Sequence, residues 1–410
     1  MEKCLCPRRF LLNFHNINIK ANVNTKLLDL WAGQIRHDFS KRVEPNFNFD
    51  ALDVDTFIKS KGYNVEVESW LKELLKRNLE NNFDKDILKL CILYSIRLLD
   101  QGLIPIFHDG DLANKIGVSK KYLYWLAKVP KKQYRVYSIK KTSGGYRKIT
   151  APKIGIKIIQ KWILRQILEK VSLHDNCEGF RLGRSIVTNC RRHTNKQIIL
   201  KFDIKDFFPS INFKRVLGMF LSLGYVFNLS YLLAKLTTYN NELPQGLPTS
   251  PAIANIILKR LDSRLTGLAK KTKANYSRYA DDITFSGNDR SLLKVILLIK
   301  KVVQEEGFRL ASRKVGIYRK GIQQKVTGLI VNKKISVPRT RIRMLRAVLH
   351  NCSLFGLNSQ REKWKNTFNI KKHFTEDDFV KVLKGNIAFV RMVDPSLAKK
   401  LVNIYKSRED

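Results

Sequence analysis

The chain has 410 residues, more than one compact core accommodates, so two or three domains are expected. Its 77 Lys and Arg against 35 Asp and Glu give a formal net charge of +42, an excess that favours a polyanionic partner, most commonly nucleic acid. No apolar run approaches the roughly 20 residues of a membrane span, no signal core is present, and six cysteines lack paired spacing, so we expect a cytoplasmic protein without membrane contact.

The sequence pattern of the first 105 residues predicts a helical N-terminal extension. Apolar residues recur at helical spacing near residues 70–75 and again from 87 to 96, and Gly102 is a typical helix stop. We find no catalytic pattern in this region. We interpret it as an accessory or interaction region and a candidate interface for oligomers.

The segment from Asp111 to Pro130 resembles a helix-turn-helix. Apolar residues on both sides of Gly117 can pack two short helices around a turn. Two interpretations stay open: a DNA-binding regulator, or an ordinary helical hairpin in a larger domain. A single amphipathic pair favours the ordinary hairpin.

Residues 133–153 predict a β-hairpin with a basic tip. Apolar and polar residues alternate on both sides of Ser143, Gly144 and Gly145. The basic residues near the tip are Lys140, Lys141, Arg147 and Lys148. Such a tip can hold a triphosphate or a nucleic-acid strand, and the alternative is a solvated basic hairpin.

A buried strand is predicted from Ile198 to Phe202, and it ends at Asp203. A carboxylate at the end of a core strand often faces a cleft, whereas Asp206 is expected in the next turn. A loop rich in Pro and Gly, ELPQGLPTSP at 242–251, then leads into a helix. Such a loop can present backbone N–H groups and the Gln245 amide to a ligand.

The segment YADD places two adjacent aspartates, Asp281 and Asp282, between strand-like stretches. A hairpin turn at Ala280–Asp281 would expose both carboxylates, and Asp203 from another strand would join them. Three carboxylates in so basic a chain either pair with Arg and Lys or bind divalent cations, and oxygen ligands alone select Mg²⁺ or Mn²⁺. Two such ions about 3.5–4 Å apart serve in-line phosphoryl transfer.

A second aspartate pair, in TEDDF at 375–379, has a different interpretation. Thr375 can cap a helix with Asp378 three residues later, which resembles a capping box and places the acids at the positive end of a helix. Adjacent aspartates therefore indicate chemistry only in the hairpin context of residues 281–282.

From Pro338 the spacing predicts an amphipathic helix, followed by a small helical bundle up to residue 410. One face of the helix is basic, opposite an apolar face, and it holds Arg339, Arg343, Arg346 and His350. A basic stripe suits a helix that lies along a nucleic-acid backbone, and an ordinary amphipathic helix is the alternative.

Three motifs in this order resemble the palm of a reverse transcriptase: FDIKDFFPSI at 202–211, QGLPTSP at 245–251 and YADD at 279–282. The resemblance covers roughly residues 133–335. It implies an α+β right-hand polymerase with an antiparallel palm sheet, in which fingers and palm occupy 106–335 and a helical thumb occupies 336–410, after the extension at 1–105. The implied reaction is RNA-directed DNA synthesis with two Mg²⁺ ions, for which Mn²⁺ can substitute.

The resemblance also implies roles for individual residues of the catalytic centre. Asp203, Asp281 and Asp282 become the metal-binding triad, and the backbone of Ile204 adds a carbonyl ligand. Lys314, in GFRLASRKVGIYRK, corresponds to the lysine that protonates pyrophosphate.

Other residues acquire roles in binding dNTPs. The implied contacts of the nucleotide are Lys140, Arg147, Phe208 and Gln245. Phe208 takes the position of the bulky residue that excludes a 2′-hydroxyl, which favours dNTPs over NTPs.

Within this family the chain resembles the bacterial retron branch. VTG at 326–328 matches an element of that branch, and NCRRH at 189–193 resembles its N-A-x-x-H element, with Cys190 in place of Ala. A lone His193 would otherwise be interpreted as a packed structural residue. The residues expected to bind nucleic acid are Asn189 and His193 of this element and Arg339, Arg343 and Arg346 of the thumb.

The retron resemblance implies a structured non-coding RNA template, an RNA–DNA duplex product and a role in antiphage defence, with an effector protein or a homo-oligomer as candidate partner. The residues added at 1–105 depart from the usual retron pattern. Alternatives therefore stay open: a defence-associated reverse transcriptase of a non-retron branch that makes repetitive or untemplated DNA in a larger assembly, or a non-catalytic nucleic-acid-binding scaffold. An RNA-templated RNA polymerase is disfavoured by Phe208.

Overall fold

The fold is that of a computed structural model, which describes residues 85–140, 144–312, 315–368, 370 and 373–406. Most of the predicted extension at 1–105, the hairpin tip at 141–143 and Lys314 lie outside the described residues. The described part begins with a helix at Lys85–Leu99.

Helices and strands are mixed along the described chain, as the α+β prediction requires. The helices are α1 Lys85–Leu99, α2 Asp109–Ile116, α3 Lys120–Lys128, α4 Pro130–Gln133, α5 Ile154–Gln166, α6 Ile186–Arg191, α7 Phe213–Ser222, α8 Phe227–Thr237, α9 Ser250–Ile257, α10 Lys259–Lys271, α11 Ile296–Glu305, α12 Arg339–Thr367, α13 Glu376–Val393 and α14 Pro395–Lys406. The strands are β1 Tyr134–Lys140, β2 Tyr146–Pro152, β3 Ile198–Asp203, β4 Asn275–Tyr279, β5 Asp282–Gly287, β6 Gly316–Arg319, β7 Lys325–Val326 and β8 Leu329–Ile330. Two 3₁₀ segments lie at Leu168–Lys170 and Arg290–Val295.

The chain divides into two compact units, each built from two stretches of sequence. The first unit contains the described residues up to Ser172 and the stretch Phe208–Ile257. The second contains Leu173–Phe207 and the described residues from Leu258 onward. The domain boundaries predicted near residues 105 and 335 stay predictions.

The first unit carries a two-stranded antiparallel hairpin. β1 and β2 pair from Tyr134 opposite Pro152 to Lys140 opposite Tyr146, which confirms the predicted hairpin. Apart from Tyr134, every residue of β1 is exposed. In β2 the first three residues, Tyr146, Arg147 and Lys148, are exposed as well, so the part of the hairpin next to the predicted basic tip presents its side chains to solvent.

Helices of the first unit follow the predicted spacing. α1 buries Ile92 and Tyr94, and the Tyr94 hydroxyl donates to a backbone carbonyl of the same unit at 2.8 Å. α2 ends at Gly117, whose φ of 82° is the left-handed conformation that glycine adopts without strain. The hydroxyl of Ser119 then caps α3 by accepting from the N–H of Tyr122 at 3.2 Å. The helical pair predicted around Gly117 is confirmed.

The second unit is built on a four-stranded antiparallel sheet in the order β4–β5–β3–β6. In β3, Ile199, Leu200 and Phe202 are at most 1% exposed, which means that both faces of this central strand are covered. The predicted buried strand ending at Asp203 is therefore confirmed.

Helices α12–α14 lie in the second unit and share one apolar core. Leu345 and Leu349 of α12 are buried there, and the members from the other two helices are Phe379, Leu383, Ile387, Val390, Ala398 and Leu401. The opposite face of α12 is exposed at Arg339, Arg343, Arg346 and His350. The predicted amphipathic helix and the helices after it are confirmed. No helix within the described ranges is both long and apolar enough to cross a membrane.

The second aspartate pair lies at the start of α13. The Thr375 hydroxyl accepts from the N–H of Asp378 at 3.2 Å, and the Asp378 carboxylate accepts from the N–H of Thr375 at 3.3 Å. These reciprocal bonds are a capping box, as predicted. The pair at 377–378 therefore has a structural role at a helix end.

Candidate active site

The two adjacent aspartates at 281–282 lie at a tight turn between β4 and β5. Tyr279 pairs with Asp282, which leaves Ala280 and Asp281 as the turn residues and confirms the predicted hairpin turn. Ala280 is buried and has a φ of 56°, a left-handed conformation that costs a non-glycine residue about 1–2 kcal/mol. Such strain persists only where the surrounding structure fixes the backbone.

Asp203, at the end of β3, lies next to this hairpin. β3 and β5 are antiparallel, with Asp203 directly opposite Asp282. Side chains of directly opposed residues lie on the same face of a sheet, with Cβ atoms about 4.5–5.5 Å apart. The N–H of Ile204 donates to the carbonyl of Asp281 at 3.0 Å. The structure therefore brings together the four residues that were predicted to form the metal centre.

These four residues offer only oxygen ligands, which suit Mg²⁺ or Mn²⁺ better than softer metals. Across the part of the chain that the structure describes, no group of three or more His, Cys, Asp and Glu side chains is arranged to hold a metal ion. The fit to a divalent cation consists of the opposed strand positions of Asp203 and Asp282, the adjacent turn position of Asp281 and the oxygen chemistry of all three.

A short segment at 176–179 packs against β4 and the turn. The N–H of Arg278 donates to the carbonyl of Asn176, and the N–H of Glu178 donates to the carbonyl of Arg278, both at 2.8 Å. At Gly179 an added Cβ would lie 2.6 Å from the backbone nitrogen of Ala280. A side chain at this position would displace backbone, so the close approach to the hairpin requires glycine.

A buried carboxylate anchors that segment. Glu178 accepts from the guanidinium Nε of Arg192 at 3.0 Å and from the hydroxyl of Thr188 at 2.7 Å, while its side chain is fully buried. Arg184 adds a third contact at 3.4 Å. Because the negative charge is paired and hydrogen-bonded, its burial is tolerated and the segment is joined to α6 and its flanks.

His193 lies in the interior, against β4 and β5. One ring nitrogen is 2.7 Å from the hydroxyl of Ser277 on β4, and the other is 2.8 Å from the hydroxyl of Ser286 on β5. Burial, reinforced by the positive charges of Arg192 and Lys196, lowers the pKa of His193 to about 3. The ring is therefore neutral at physiological pH and bridges the two strands of the hairpin.

The two sequence elements typical of the retron branch contact each other. The amide of Asn189 donates to the hydroxyl of Thr327 at 3.4 Å, and the Cys190 sulfur lies 3.2 Å from the carbonyl oxygen of Val326. Asn189 also accepts from the Ser277 hydroxyl at 2.5 Å. Cys190, the departure from the usual element, is thus accommodated against the turn at 326–328.

The nucleic-acid contact predicted for Asn189 and His193 needs correction. Asn189 is 1% exposed and His193 is fully buried, so neither side chain presents a surface to a nucleic acid. Their hydrogen bonds instead go to serines of the hairpin strands. The structure places them among the interior supports of the sheet, because their polar groups find partners there.

In the first unit, the basic hairpin and the Gln245 loop lie side by side. The N–H of Thr150 on β2 donates to the carbonyl of Gln245 at 2.8 Å, and an added Cβ at Gly246 would lie 2.7 Å from the Thr150 carbonyl oxygen. Lys140 and Arg147 are exposed on the same hairpin. Together with Phe208, which also belongs to the first unit, all four predicted dNTP contacts therefore occur within one unit.

The other predicted site residues are Phe208, the three arginines of α12 and Lys314. Phe208 is half-buried in the first unit, where its carbonyl accepts from the N–H of Ile211 at 3.0 Å. The cations predicted for the thumb are exposed on α12 of the second unit, at Arg339, Arg343 and Arg346. Lys314 lies outside the described residues.

Sequence reasoning missed two residues that contact the hairpin turn, Gly179 and Arg278. A signal existed for Arg278, because Asp262 follows Leu261 on the apolar face of a helix and an acid there indicates a buried cationic partner. No signal existed for Gly179, since its role depends on a close approach between distant segments.

Comparison with known proteins agrees with the motifs. A family model described as reverse transcriptase (RNA-dependent DNA polymerase) matches residues 139–367. The chain is 35% identical over 329 residues to the Retron Mx65 reverse transcriptase of Myxococcus xanthus, which covers 74% of this chain and 73% of that protein. It is 36% identical over 334 residues to the Retron Mx162 reverse transcriptase of the same organism, with 72% and 66% covered. It is 35% identical over 263 residues to the Retron Ec86 reverse transcriptase of Escherichia coli, with 63% and 82% covered.

Proposed function

Because the chain belongs to the reverse transcriptase family and is an RNA-directed DNA polymerase of the retron type, we propose that its template is a structured non-coding RNA. We propose that DNA synthesis takes place at the hairpin of residues 279–282. Its antiparallel sheet and helices agree with the predicted right-hand polymerase fold. The observation that carries the proposal is the pairing of Asp203 with Asp282 beside the turn at Asp281.

In the proposed reaction a primer hydroxyl attacks the α-phosphate of a dNTP, and pyrophosphate leaves. Asp203, Asp281 and Asp282, with the backbone of Ile204, would hold two divalent cations, most suitably Mg²⁺. When bound, such ions activate the attacking oxygen and stabilise the leaving charge. The chain itself contributes positioning, because the strand register and the tight turn set the backbone positions of the three aspartates before substrate binds.

Recognition of the dNTP would fall to residues of the first unit. The exposed cations Lys140 and Arg147 suit the negative charge of a triphosphate, and Gln245 is held beside the same hairpin through its backbone. We assign Phe208 the exclusion of a 2′-hydroxyl, and Lys314 the protonation of pyrophosphate. Replacing Phe208 by Ala should raise the use of NTPs relative to dNTPs, and an unchanged preference would refute the gating role.

Binding of the template and product would depend mainly on contacts with their phosphates. Arg339, Arg343 and Arg346 form an exposed basic row on α12, and the chain as a whole has a net charge of +42. Contacts of this kind release counterions, so we expect the affinity for an RNA–DNA duplex to fall steeply with salt.

The resemblance of the motifs to the retron branch leads to two wider proposals: a role in antiphage defence, and a partner that is either an effector protein or a second copy of this chain. The described cysteines, Cys91, Cys177, Cys190 and Cys352, are free thiols, which supports a reducing compartment such as the cytoplasm. Phage plating on cells that carry the wild-type or an Asp282→Asn gene would test the defence role. Equal plating on both would contradict it.

The catalytic proposal is tested by primer extension with Mg²⁺, using Asp281→Asn and Asp282→Asn. Both variants should lose dNTP incorporation while RNA affinity stays near wild type, because the carboxylates hold metal and not template. Asp377→Asn is the matched control, since Asp377 is an exposed member of the second aspartate pair. Synthesis at the wild-type rate by either hairpin variant would contradict the assignment of Asp281 and Asp282 as catalytic residues.

The template proposal is tested by sequencing the nucleic acid that co-purifies with the active protein. A single structured RNA joined or paired to a complementary DNA is the expected result. Repetitive DNA without a complementary RNA would instead favour untemplated synthesis by a non-retron branch.

A further inference from the structure

Arg278 lies in β4, two residues before the turn that carries the aspartates, and its side chain is fully buried. Its guanidinium makes two parallel contacts with the carboxylate of Asp262 on α10, from Nε at 2.8 Å and from a terminal nitrogen at 2.7 Å. The hydroxyl of Tyr276 donates to the same carboxylate at 2.6 Å. An ion pair of this kind is fully desolvated, so both charges depend on each other.

The same guanidinium reaches beyond its ion pair to the turn itself. Its other terminal nitrogen donates to the carbonyl of Ala280 at 3.1 Å, and one nitrogen also contacts the sulfur of Cys177 at 3.3 Å. The planar guanidinium supplies several fixed donors at once, which the single ammonium of a lysine does not reproduce. Arginine therefore suits this position for a reason that charge alone does not supply.

The contact with Ala280 fixes the orientation of the peptide that precedes Asp281. The carbonyl of Ala280 and the N–H of Asp281 belong to one planar unit, so holding the first holds the second. The next peptide is held as well, because the Asp281 carbonyl accepts from the N–H of Ile204 at 3.0 Å. Both peptides around Asp281 are thereby anchored, although Ala280 has a strained φ of 56°.

We propose that Arg278, supported by Asp262, is a positioning residue that orients the catalytic turn for metal and nucleotide binding. It does not touch substrate, and it acts through the backbone of Ala280. This inference rests on the proposed function of the hairpin aspartates. The alternative is an ion pair that stabilises the fold and has no bearing on the reaction.

The test removes the buried polar cluster of Arg278, Asp262 and Tyr276 as a whole, so that no unpaired charge stays buried. The triple variant Arg278→Met, Asp262→Leu, Tyr276→Phe replaces it by apolar side chains, a kind of exchange that folded proteins often tolerate. Arg278→Lys keeps the positive charge but loses the planar guanidinium group with its several fixed donors. Arg264→Met is the matched control, because Arg264 on the same α10 pairs with Glu305 and Glu306 at the end of α11, away from the hairpin.

Four quantities are measured for each variant: the melting temperature, the affinity for RNA, kcat and KM for dNTP incorporation, and direct Mn²⁺ binding by electron paramagnetic resonance. We expect the triple variant to melt and bind RNA like the wild type. Its kcat should fall at least tenfold and its Mn²⁺ affinity severalfold, with a smaller change in KM. Arg278→Lys should change in the same direction, and Arg264→Met should change none of these quantities.

A folded triple variant with kcat within twofold of wild type would overturn the proposal. If the triple variant does not fold, the Arg278→Lys variant decides between the two roles. Wild-type kcat and Mn²⁺ binding in this variant would overturn the proposal. Failure of this conservative variant to fold would also overturn it, because it would indicate a purely structural role. Failure of the proposed function looks different, since Asp282→Asn would then retain synthesis. An inactive Asp282→Asn beside a fully active triple variant overturns the positioning role alone.

Discussion

Mildly acidic pH should destabilise the folded protein, because His193 binds a proton more readily in the unfolded state than in the folded state. The imidazole is fully buried, with its two nitrogens 2.7 Å and 2.8 Å from the hydroxyls of Ser277 and Ser286. Burial, with Arg192 and Lys196 nearby, lowers the pKa of His193 in the folded state to about 3, against about 6.5 for an exposed histidine.

The sign and size of the effect follow from the difference between the two pKa values. The folded state resists protonation, so the unfolded state gains a proton first as pH falls below about 6.5. The stability contributed by the neutral ring is complete above about pH 6.5 and is lost progressively down to about pH 3. One pH unit below 6.5, the loss amounts to about 1.4 kcal/mol.

The assay is urea unfolding of the wild type, His193→Gln and His350→Gln at pH 7.5 and 5.5. His193→Gln is expected to lower stability at pH 7.5 but to lose less on acidification than the wild type, by about 1.4 kcal/mol. His350→Gln, which alters an exposed histidine on α12, should follow the wild type at both pH values. An equal loss on acidification in wild type and His193→Gln would refute the assignment of a depressed pKa to this ring.

Three further predictions concern the turn, the bundle and the basic face of α12. Gly179→Ala should force the backbone at Ala280 to move, which would lower stability by about 1–3 kcal/mol. It should reduce dNTP incorporation more than RNA binding, and unchanged activity in primer extension would contradict this prediction. Thr375→Ala should lose the capping box and about 1 kcal/mol of stability, seen as a lower melting temperature with incorporation at 25 °C retained. Arg343→Ala should weaken RNA–DNA duplex binding and reduce the salt slope by about 1, which a titration from low to high salt will check.

Much of the candidate site was predictable because its signals are local. The apolar run ending at Asp203 is a buried strand, and the residues on either side of 280–281 pair as a hairpin, since both depend on neighbouring residues and turn chemistry. The capping box at Thr375 is local in the same way. The residues that flank each aspartate pair are therefore enough to distinguish a hairpin turn at 281–282 from a helix end at 377–378.

The supports of the site were not predictable because they depend on contacts between distant segments. The Asp262–Arg278 pair spans 16 residues. The position of Asp262 on the apolar face of α10 indicates a buried cationic partner, but the sequence alone does not identify that partner as Arg278. Gly179 is required only because the backbone of Ala280 comes close to it. His193 was expected at a nucleic-acid surface, yet its partners are Ser277 and Ser286 in the interior.

The measurement that tests the central claim most directly is single-nucleotide incorporation by Asp203→Asn on an RNA template with a DNA primer and Mg²⁺. Asp203 lies on a different strand from the YADD turn, so its effect tests whether the opposed pairing with Asp282 forms one catalytic centre. We predict a loss of at least about 100-fold at unchanged RNA affinity, because a metal centre contributes several kcal/mol of transition-state stabilisation. Incorporation at the wild-type rate would contradict the account.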